Sequence, residues 1–578
     1  MEFAKAGPRV LAALGGLFAH AAAYAGATLF VHGHIYTGNP RQPWAEALSV
    51  QGSRIEAIGS DRELQAHQDA KTRRVDLKGR TVIPGIVDSH IHVVWGAFAL
   101  DGFNLSAPDF VITPDQRELF VSAVKAYAAS HPAKALIFGR ADFSTVIPGA
   151  PGHDLLDEAV PDRPVVVLNT SGHAYWLNAA AMRAAGITAM PVADADEERG
   201  VVRDASGNPS GVFMEAAMEL VYRGILSRVP LEQQLAMLRA ATRYLNSFGI
   251  TSVVNATGNL REIEMFAALR DRGQLTVRTR TAFGAVSVPH RLTPAFLSDL
   301  DQARERYHDD WVSANLVKFF TDGSTGLVPP LVYEAHDYAD LIRELDRRGY
   351  QVMTHTQRID ALHMILDAYE RAEKANPPRD RRMRIEHDFL AEPADIPRFG
   401  KLGVIAAMQP TFCCSDAGSF NYLPEPLPTD QWKSLQASGA TLAFGSDWPC
   451  TWPPDPFVGI QQAATRQVWR SPGLAKVAGE PFDGAAQAGA VLSGGVYLPS
   501  ERLSVQAAVD AYTRGAAYAA FLDGRVGTLE KGKEADLAVL SQDIFSIAPQ
   551  EIGKTRVLLT LVGGRTVYAR DAAAPLPD

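Results

Sequence analysis

Cysteine is scarce in this chain, with three residues in 578, and the basic residues form no stripe. So few cysteines, in an odd number, exclude a disulfide-built scaffold and a four-cysteine zinc module. Acidic residues outnumber Lys and Arg by 65 to 56, and the net charge of −9 argues against a nucleic-acid surface. No P-loop, dinucleotide-binding glycine motif or Gly-x-Ser-x-Gly elbow occurs in a supporting context, which argues against a nucleotide enzyme and a serine hydrolase.

The composition is that of an ordinary globular protein. Hydrophobic residues make up 47% of the chain and charged residues 21%, which excludes a disordered chain and a polytopic membrane protein. The length allows a large core, so folding needs neither disulfides nor a structural metal. The sequence leaves the oligomeric state open, including a homo-oligomer.

The first 25 residues have the pattern of a secretory signal. Lys5 and Arg9 precede a short apolar run, and Ala23-x-Ala25 provides a small-residue cleavage site. The run is too short to span a bilayer as a stable helix. We therefore expect a signal peptide over residues 1–25 and a periplasmic or secreted protein. The alternative is a cytoplasmic chain with an N-terminal extension.

Both ends of the remaining chain are rich in β-like runs. Short runs typical of strands, separated by Gly, Asp and Pro turns, lie between Thr28 and Leu77 and again between Ala535 and Tyr568. Because chain termini often lie close together, we expect residues 26–82 and 524–570 to form one composite β-sandwich domain.

The middle of the chain, residues 83–523, alternates strands with helical patterns. Eight β-like segments predict a (β/α)8 TIM barrel of the α/β class. The first two, Thr81–Asp88 and Thr251–Asn255, are too far apart for one crossover, so residues 100–230 are expected to form an inserted subdomain over the barrel mouth. The other six segments are 276–281, 316–320, 351–354, 383–386, 404–408 and 441–444.

Side chains of the types that bind metals lie in the predicted barrel strands or at their ends. His90 and His92 end the first strand, and alternation along a strand points both rings to the same face. All these side chains would project at the C-terminal face of the barrel, where barrel enzymes place their catalytic groups. Imidazole and carboxylate together suit zinc well. Four more such side chains follow in the later strands, at successive intervals of about one, one and two βα units: Lys318, His355, His387 and Asp447.

Six motifs surround these residues: Pro84-Gly-Ile-Val-Asp-Ser-His-Ile-His92, Ser171-Gly-His-Ala-Tyr-Trp-Leu-Asn178, Val317-Lys-Phe-Phe-Thr-Asp-Gly323, Thr354-His355, Arg384-Ile-Glu-His387 and Phe444-Gly-Ser-Asp-Trp-Pro449. With the tail Gly532-Lys-Glu-Ala-Asp-Leu-Ala-Val539, they resemble the amidohydrolase superfamily, in particular its YtcJ-like (amidohydrolase 3) branch, which includes N-substituted formamide deformylases. The resemblance covers almost everything after Gly26.

The resemblance implies a binuclear metal site. One divalent ion would be held by His90, His92 and Asp447, and the second by His355 and His387. Zn²⁺ is the first expectation for both ions, with Mn²⁺ as the alternative.

Lys318 would bridge both ions as a carbamate formed with CO₂, again by resemblance to the family. A cationic ammonium is unfavourable between two divalent ions, whereas a carbamate supplies an anionic oxygen. Two alternatives stay open at this point: Lys318 paired with Asp322, and a one-metal site with a neutral Lys318.

The same resemblance implies hydrolysis of an amide-type carbon–nitrogen bond, other than a peptide bond, in a small-molecule substrate. A metal-bound hydroxide would attack the carbonyl carbon, and Asp447 would move its proton to the departing nitrogen. His173, in the insertion, resembles a family histidine that reaches over the metals and would stabilise the oxyanion; a structural histidine is the alternative. An esterase, lactonase or carbamate hydrolase would suit the same site, and a non-catalytic binding protein is the alternative outside enzymes.

The chain departs from the family pattern beside the metal residues. Thr356–Asp360 replaces a Gly-Asp-Arg turn, and Thr411-Phe412-Cys413 stands where many relatives carry a histidine. The substrate therefore does not follow from the resemblance. Three cysteines follow the seventh and eighth strands: Cys413, Cys414 and Cys450. The sequence is compatible both with free thiols and with a disulfide there.

Overall fold

The computed structural model describes residues 26–65, 68–105, 117–143, 152–187, 194–284, 292–322, 331–387, 390–413, 428–468, 476–477, 480–481 and 496–570. The predicted signal peptide, residues 1–25, lies outside them. Over these ranges, no helix combines the length and the apolar character that crossing a bilayer requires.

An eight-stranded parallel sheet forms a barrel and confirms the predicted (β/α)8 class. The eighth strand leads into a segment that joins the first strand: the amide of Asp447 donates to the carbonyl of His90 at 2.7 Å, and the amide of His92 donates to the carbonyl of Trp448 at 2.8 Å. In chain order the strands are Ile86–Ile91, Ile250–Gly258, Arg278–Gly284, Val312–Phe320, Gln351–Thr356, Arg384–His387, Ile405–Met408 and Leu442–Phe444.

The predicted first barrel strand, residues 81–88, is wrong in its limits, because two strands meet there. Thr81–Pro84 pairs with Leu537–Leu540 in a separate sheet, whereas Ile86–Ile91 pairs with the second barrel strand. A β-carbon on the intervening Gly85 would lie 2.3 Å from Oγ1 of Thr251. The chain therefore passes from one sheet to the other at a position too close to its neighbour for a side chain.

Helices cover the outside of the barrel. In Ala335–Arg347, for example, Tyr338, Leu341, Ile342 and Leu345 are buried, which is the spacing of one apolar helix face. The helices are Leu231–Asn246, before the second strand, and then Leu260–Asp271, Pro294–Arg306, Ala335–Arg347, Ile359–Ala375, Ile396–Leu402, Trp432–Ala437 and Pro456–Thr465.

A helical segment made of Val505–Asp510, the π-helical turn Ala511–Gly515 and Ala516–Ala519 packs against the barrel strands. Three of its alanines, with Leu522 and Val526, form one core cluster with strand residues such as Val87 and Val254; these alanines are Ala516, Ala517 and Ala519.

The inserted part of the chain contains a six-stranded mixed sheet. Its own core includes Phe120, Val167 and Trp176. The sheet lies within the predicted insertion of residues 100–230, whose limits stay a prediction. Its strands are Phe103–Leu105, Ile137–Ala141, Val165–Asn169, Ala174–Leu177, Val201–Arg203 and Pro209–Met214; the accompanying helices are Val93–Asp101, Arg117–Ser130, Asp154–Ala159, Ala179–Ala185, Ala195–Arg199 and Met218–Gly224.

Two further sheets form one unit with strands from both ends of the chain, and the second of them contains the C-terminal strands. Phe30 and Leu48 of one sheet share a core cluster with Ile35 and Val539 of the other, so the sheets pack on each other as a sandwich. The first sheet contains Thr28–Val31, Ala47–Gln51, Arg54–Gly59 and Arg73–Asp76, and the second contains His34–Tyr36, Trp44–Ala45, Thr81–Pro84, Leu537–Leu540, Val557–Val562 and Arg565–Ala569.

Candidate metal centre

Three metal-type side chains meet where the first and eighth barrel strands end. Nε2 of His92 lies 3.1 Å from Oδ1 of Asp447, and Nε2 of His90 lies 3.5 Å from the same oxygen. All three residues are at most 5% exposed. Their donor atoms lie within 4.8 Å of one another, so they can converge on one ion.

His355 and His387 lie beside this group. Their ring centres are 4.6 Å apart, and the ring of His387 is 4.7 Å from that of His90. Nδ1 of His387 is 2.7 Å from Oε1 of Gln409, which orients the ring with Nε2 as the nitrogen that carries the lone pair. Neither nitrogen of the buried His355 forms a hydrogen bond among the described residues, and Nε2 lies 3.4 Å from Oδ1 of Asp322. A buried polar ring without hydrogen bonds is unfavourable unless a ligand completes the site.

Burial keeps these imidazoles neutral. It lowers the pKa of His387 to about 3 and moves the pKa values of His90 and His355 well below the usual range, with nearby positive charges adding to the effect. The neutral ring is the form of histidine that binds metals.

Lys318 is completely buried between these rings. Its Nζ lies 3.5 Å from Nε2 of His90, and no carboxylate in the described part of the chain forms an ion pair with it. Asp322 instead accepts hydrogen bonds from the amide of Gln357, at 2.8 Å, and from Oγ1 of Thr356. Burial lowers the pKa of Lys318 to about 8.

A buried carboxylate orients the first histidine. Oε2 of Glu386 lies 2.5 Å from Nδ1 of His90, and Arg384 donates to both oxygens of Glu386 at 2.8 and 2.9 Å. Arg384 also donates to the carbonyl of Ser89 at 2.7 Å. Because Glu386 accepts at Nδ1, Nε2 of His90 is left to face the centre.

His173 extends from the inserted sheet to the same centre. Its ring is 5.3 Å from that of His355, and its Nδ1 lies 3.0 Å from both oxygens of Glu215. Burial works against the protonation of His173, but the Glu215 carboxylate outweighs it and raises the pKa of His173. The backbone at Glu215 has a φ of 47°, an uncommon conformation for a residue other than glycine.

Seven of the side chains named above line a cavity of about 490 Å³ between the barrel and the inserted sheet: His92, His173, Glu215, Lys318, His355, His387 and Asp447. Aromatic rings form much of its wall, and the ring of Trp95 stacks on that of His92 at 4.3 Å. The aromatic residues on the wall are Trp95, Tyr175, Tyr222, Phe283, Phe296 and Phe320.

The structure brings all six predicted metal residues and His173 to one site. Sequence reasoning gave no role to Glu386, Arg384, Gln409 or Glu215. The alternation Arg384-x-Glu386 was a usable signal, because it places both side chains on one face of the sixth strand. Glu215 had no such signal, since only folding brings it to His173.

The cysteines differ from one another. Cys450 is a free thiol on the cavity wall, and its Sγ lies 3.4 Å from the carbonyl oxygen of Ser171. Cys413 is buried and disulfide-bonded, and Cys414 lies outside the described residues.

Comparison with known proteins agrees with this architecture. The chain is 28% identical to Protein LONG AFTER FAR-RED 3 of Arabidopsis thaliana, over 93% of the chain and 91% of that protein. It is 27% identical to the putative amidohydrolase YtcJ of Bacillus subtilis, over 93% and 98%. It is 24% identical to the N-substituted formamide deformylase of Arthrobacter pascens, over 94% and 98%.

A solved structure shares the fold, and a family model matches the sequence. An uncharacterized metal-dependent hydrolase from Pyrococcus furiosus superposes with a TM-score of 0.65 at 23% identity, over 90% of this chain and all of that one. The model described as "Amidohydrolase family" matches residues 73–568, which include every metal-type residue discussed above. The chain therefore belongs to the amidohydrolase family.

Proposed function

We propose that the protein is an enzyme, a metal-dependent hydrolase that cleaves an amide-type carbon–nitrogen bond, other than a peptide bond, in a small molecule. The observation that carries this proposal is the buried cluster of neutral imidazoles around Asp447 and Lys318, in which neither nitrogen of His355 forms a hydrogen bond in the described structure and Nε2 lies 3.4 Å from Oδ1 of Asp322. The name of the deformylase relative favours formamides as the first substrates to try.

The residues present fit two divalent cations, Zn²⁺ first and Mn²⁺ as the alternative. His90, His92 and Asp447 would hold one ion, and His355 and His387 the other. Two bound cations would lower the pKa of a water molecule and polarise the substrate carbonyl.

Lys318 would join the two groups of ligands as a carbamate. Its amine is fully buried and has no carboxylate partner in the described part of the chain, so conversion to an anion replaces a poorly solvated cation with a ligand. The imidazoles around Lys318 are neutral, so they would not compete with the two metal cations for the negative charge of the carbamate.

Asp447 is the group that would move a proton. Burial alone would raise the pKa of Asp447, but its contact with His92 and nearby positive charge lower it, so the carboxylate is ionised at neutral pH. It can accept the proton of the attacking water and deliver it to the departing nitrogen. His173, held through Nδ1 by Glu215, presents Nε2 toward the centre and would donate to the oxygen that becomes negative.

Metal analysis and a substrate screen test the proposal together. The purified protein should hold close to two divalent ions per chain, lose its hydrolytic activity to a chelator and recover it with Zn²⁺ or Mn²⁺. The screen compares N-substituted formamides with N-acyl amines, carbamates, esters and lactones. Full activity after exhaustive removal of metal would refute the proposal, and a fully loaded protein that hydrolyses none of these compounds would favour a binding protein.

The Asp447→Asn variant separates chemistry from binding. Asparagine keeps an oxygen ligand but cannot accept the proton, so kcat should fall about 10²–10⁴-fold while KM changes far less. Metal content must be measured on the same sample. Asp455→Asn is the control, because Asp455 is also buried but caps a helix outside the cavity. Near-normal kcat in an Asp447→Asn variant that retains both ions would exclude Asp447 as the proton carrier.

A further inference from the structure

One part of the cavity wall carries two carboxyl groups and two tyrosines that the proposed reaction does not use. Tyr175 comes from a strand of the inserted sheet, Glu219 and Tyr222 from the helix Met218–Gly224, and Glu262 from the barrel helix Leu260–Asp271. We name these four residues the acidic wall.

No basic side chain in the described structure pairs exclusively with a carboxyl group of the acidic wall. Glu262 is 2% exposed, and the side-chain contact at its carboxylate is a hydrogen bond from Nδ2 of Asn255 at 3.0 Å. Glu219 lies 3.8 Å from Arg223, but Arg223 is already bound to both oxygens of Glu197 at 2.7 and 3.0 Å. Burial accordingly raises the pKa of Glu262 to about 8 and that of Glu219 to about 7.

Tyr175 of the acidic wall points independently to a ligand. Tyr175 is 1% exposed, and its hydroxyl has no hydrogen-bond partner in the described part of the chain although it lines the cavity. Buried hydroxyl groups in native proteins are normally hydrogen-bonded. A ligand group with hydrogen-bond donors would satisfy this oxygen and the two carboxyl groups together.

We propose that the acidic wall binds a primary ammonium group of the substrate. An ammonium has three donors for the carboxyl oxygens of Glu219 and Glu262 and the hydroxyl of Tyr175. Its charge also favours the ionised form of both carboxyl groups, and ionised acceptors make the stronger hydrogen bonds. The rings of Tyr175 and Tyr222 add the attraction of aromatic faces for a cation. A substrate carboxylate would find no cation among these four residues. This inference rests on the proposed function only where it calls the ligand a substrate.

Of the other carboxylates on the cavity wall, Glu215 is occupied by His173 and Asp447 belongs to the candidate metal centre. Arg261 also lines the cavity and donates from Nη2 to Oε1 of Gln234 at 3.4 Å. Asp299 is exposed to solvent, where its charge is screened.

Calorimetry of the metal-loaded full chain with two matched probes tests the site without any hydrolysis. Benzylammonium should bind at least tenfold more tightly than its neutral analogue benzyl alcohol. Glu219→Gln and Glu262→Gln should each weaken benzylammonium at least tenfold and benzyl alcohol less than threefold. Glu264→Gln is the matched control, because Glu264 is on the same helix as Glu262 but is exposed and outside the cavity, and it should change neither affinity.

Equal binding of the two probes to the unmodified protein would overturn the proposal, as would tighter binding of benzoate. Equal losses for both probes in the glutamine variants would also overturn it, because they would show a packing defect and not a lost charge. If Glu262→Gln does not fold, the partly exposed Glu219 decides the question through Glu219→Gln alone.

A pair of formamides separates this inference from the proposed function. The mono-N-formyl derivative of 1,4-bis(aminomethyl)benzene should have a kcat/KM at least tenfold above that of N-(4-ethylbenzyl)formamide, and Glu219→Gln should remove the difference. Equal hydrolysis of both formamides would refute the ammonium site and leave the hydrolase. Selective binding of benzylammonium without hydrolysis of any amide would refute the hydrolase and leave the site.

Discussion

Replacing Glu386 with glutamine tests how the protein holds His90. The Glu386 carboxylate accepts from Nδ1 of His90 and from two nitrogens of Arg384, and all three side chains are 0% exposed. Glutamine has nearly the same shape but no charge. The change therefore removes the anion from a buried network and leaves its cation in place.

Two separate losses follow. Arg384 becomes an uncompensated buried charge, and breaking a buried ion pair in this way typically costs about 3–5 kcal/mol in the free energy of unfolding. His90 loses the carboxylate that orients it and raises its basicity, which typically lowers metal affinity about 10–100-fold. The first loss appears in metal-free protein, and the second only in the metal-binding equilibrium.

Two measurements separate these losses. Guanidinium unfolding of the demetallated protein gives the stability change, and competition with a chromophoric chelator gives the metal affinity. Glu344→Gln is the control, because Glu344 pairs with Arg347 and Arg348 at the surface, where an ion pair contributes at most about 1 kcal/mol. A second substitution, Arg384→Met in the Glu386→Gln background, removes the stranded charge and should recover stability without recovering metal affinity.

The reasoning would be refuted by a Glu386→Gln protein whose unfolding free energy falls by less than about 1 kcal/mol and whose metal affinity is unchanged. It would also be refuted if the double variant recovered metal affinity together with stability, because both losses would then come from Arg384.

Three further outcomes are expected. Burial raises the pKa of Asp455 from 3.8 to about 6, so the protonated side chain stabilises the fold below pH 4 and this contribution is lost as the pH rises to about 6. Asp455→Asn should reduce the pH dependence of the unfolding free energy in urea across this window by up to about 3 kcal/mol. An unchanged pH dependence would contradict this. Gly96→Ala should destabilise the protein by about 1–3 kcal/mol in thermal unfolding, because the new β-carbon would lie 1.9 Å from the buried ring of Trp448; an unchanged midpoint would show that the ring moves aside freely. Glu215→Gln should lower kcat at least about tenfold with unchanged metal content, because it weakens the hold on His173; a loss of metal instead would indicate a structural role.

The barrel and the convergence of its candidate metal residues could be predicted because local patterns determine both. Parallel strands bury both faces and form apolar runs, and the carboxyl ends of barrel strands meet at one rim, so His355, His387 and Asp447 converge without any knowledge of packing. The pair of strands around Gly85 could not be separated, since apolar residues continue on both sides of it and the change of sheet depends on distant partners.

The contacts that orient the metal residues lay beyond sequence reasoning for the same reason. Glu386 meets His90 across the barrel, and Glu215 meets His173 through a turn with an uncommon backbone conformation. Each contact pairs residues that lie far apart in the chain, so the alternation that places Glu386 beside Arg384 does not reveal its contact with His90. The unpaired hydroxyl of Tyr175 is likewise visible only as a feature of the folded cavity wall.

The sandwich built from both chain ends has a consequence for the order of folding during synthesis. The strand Thr81–Pro84 pairs on one side with His34–Tyr36 and on the other with Leu537–Leu540. At about 5–20 residues per second, roughly 20 to 90 seconds pass between the emergence of these partners from the ribosome. Throughout this interval one edge of Thr81–Pro84 has no strand to pair with, and unpaired edges invite association with other chains. The nascent protein is therefore most exposed to aggregation before its last strands are made, so loss of the C-terminal strands should cost solubility during synthesis more than it disturbs the barrel.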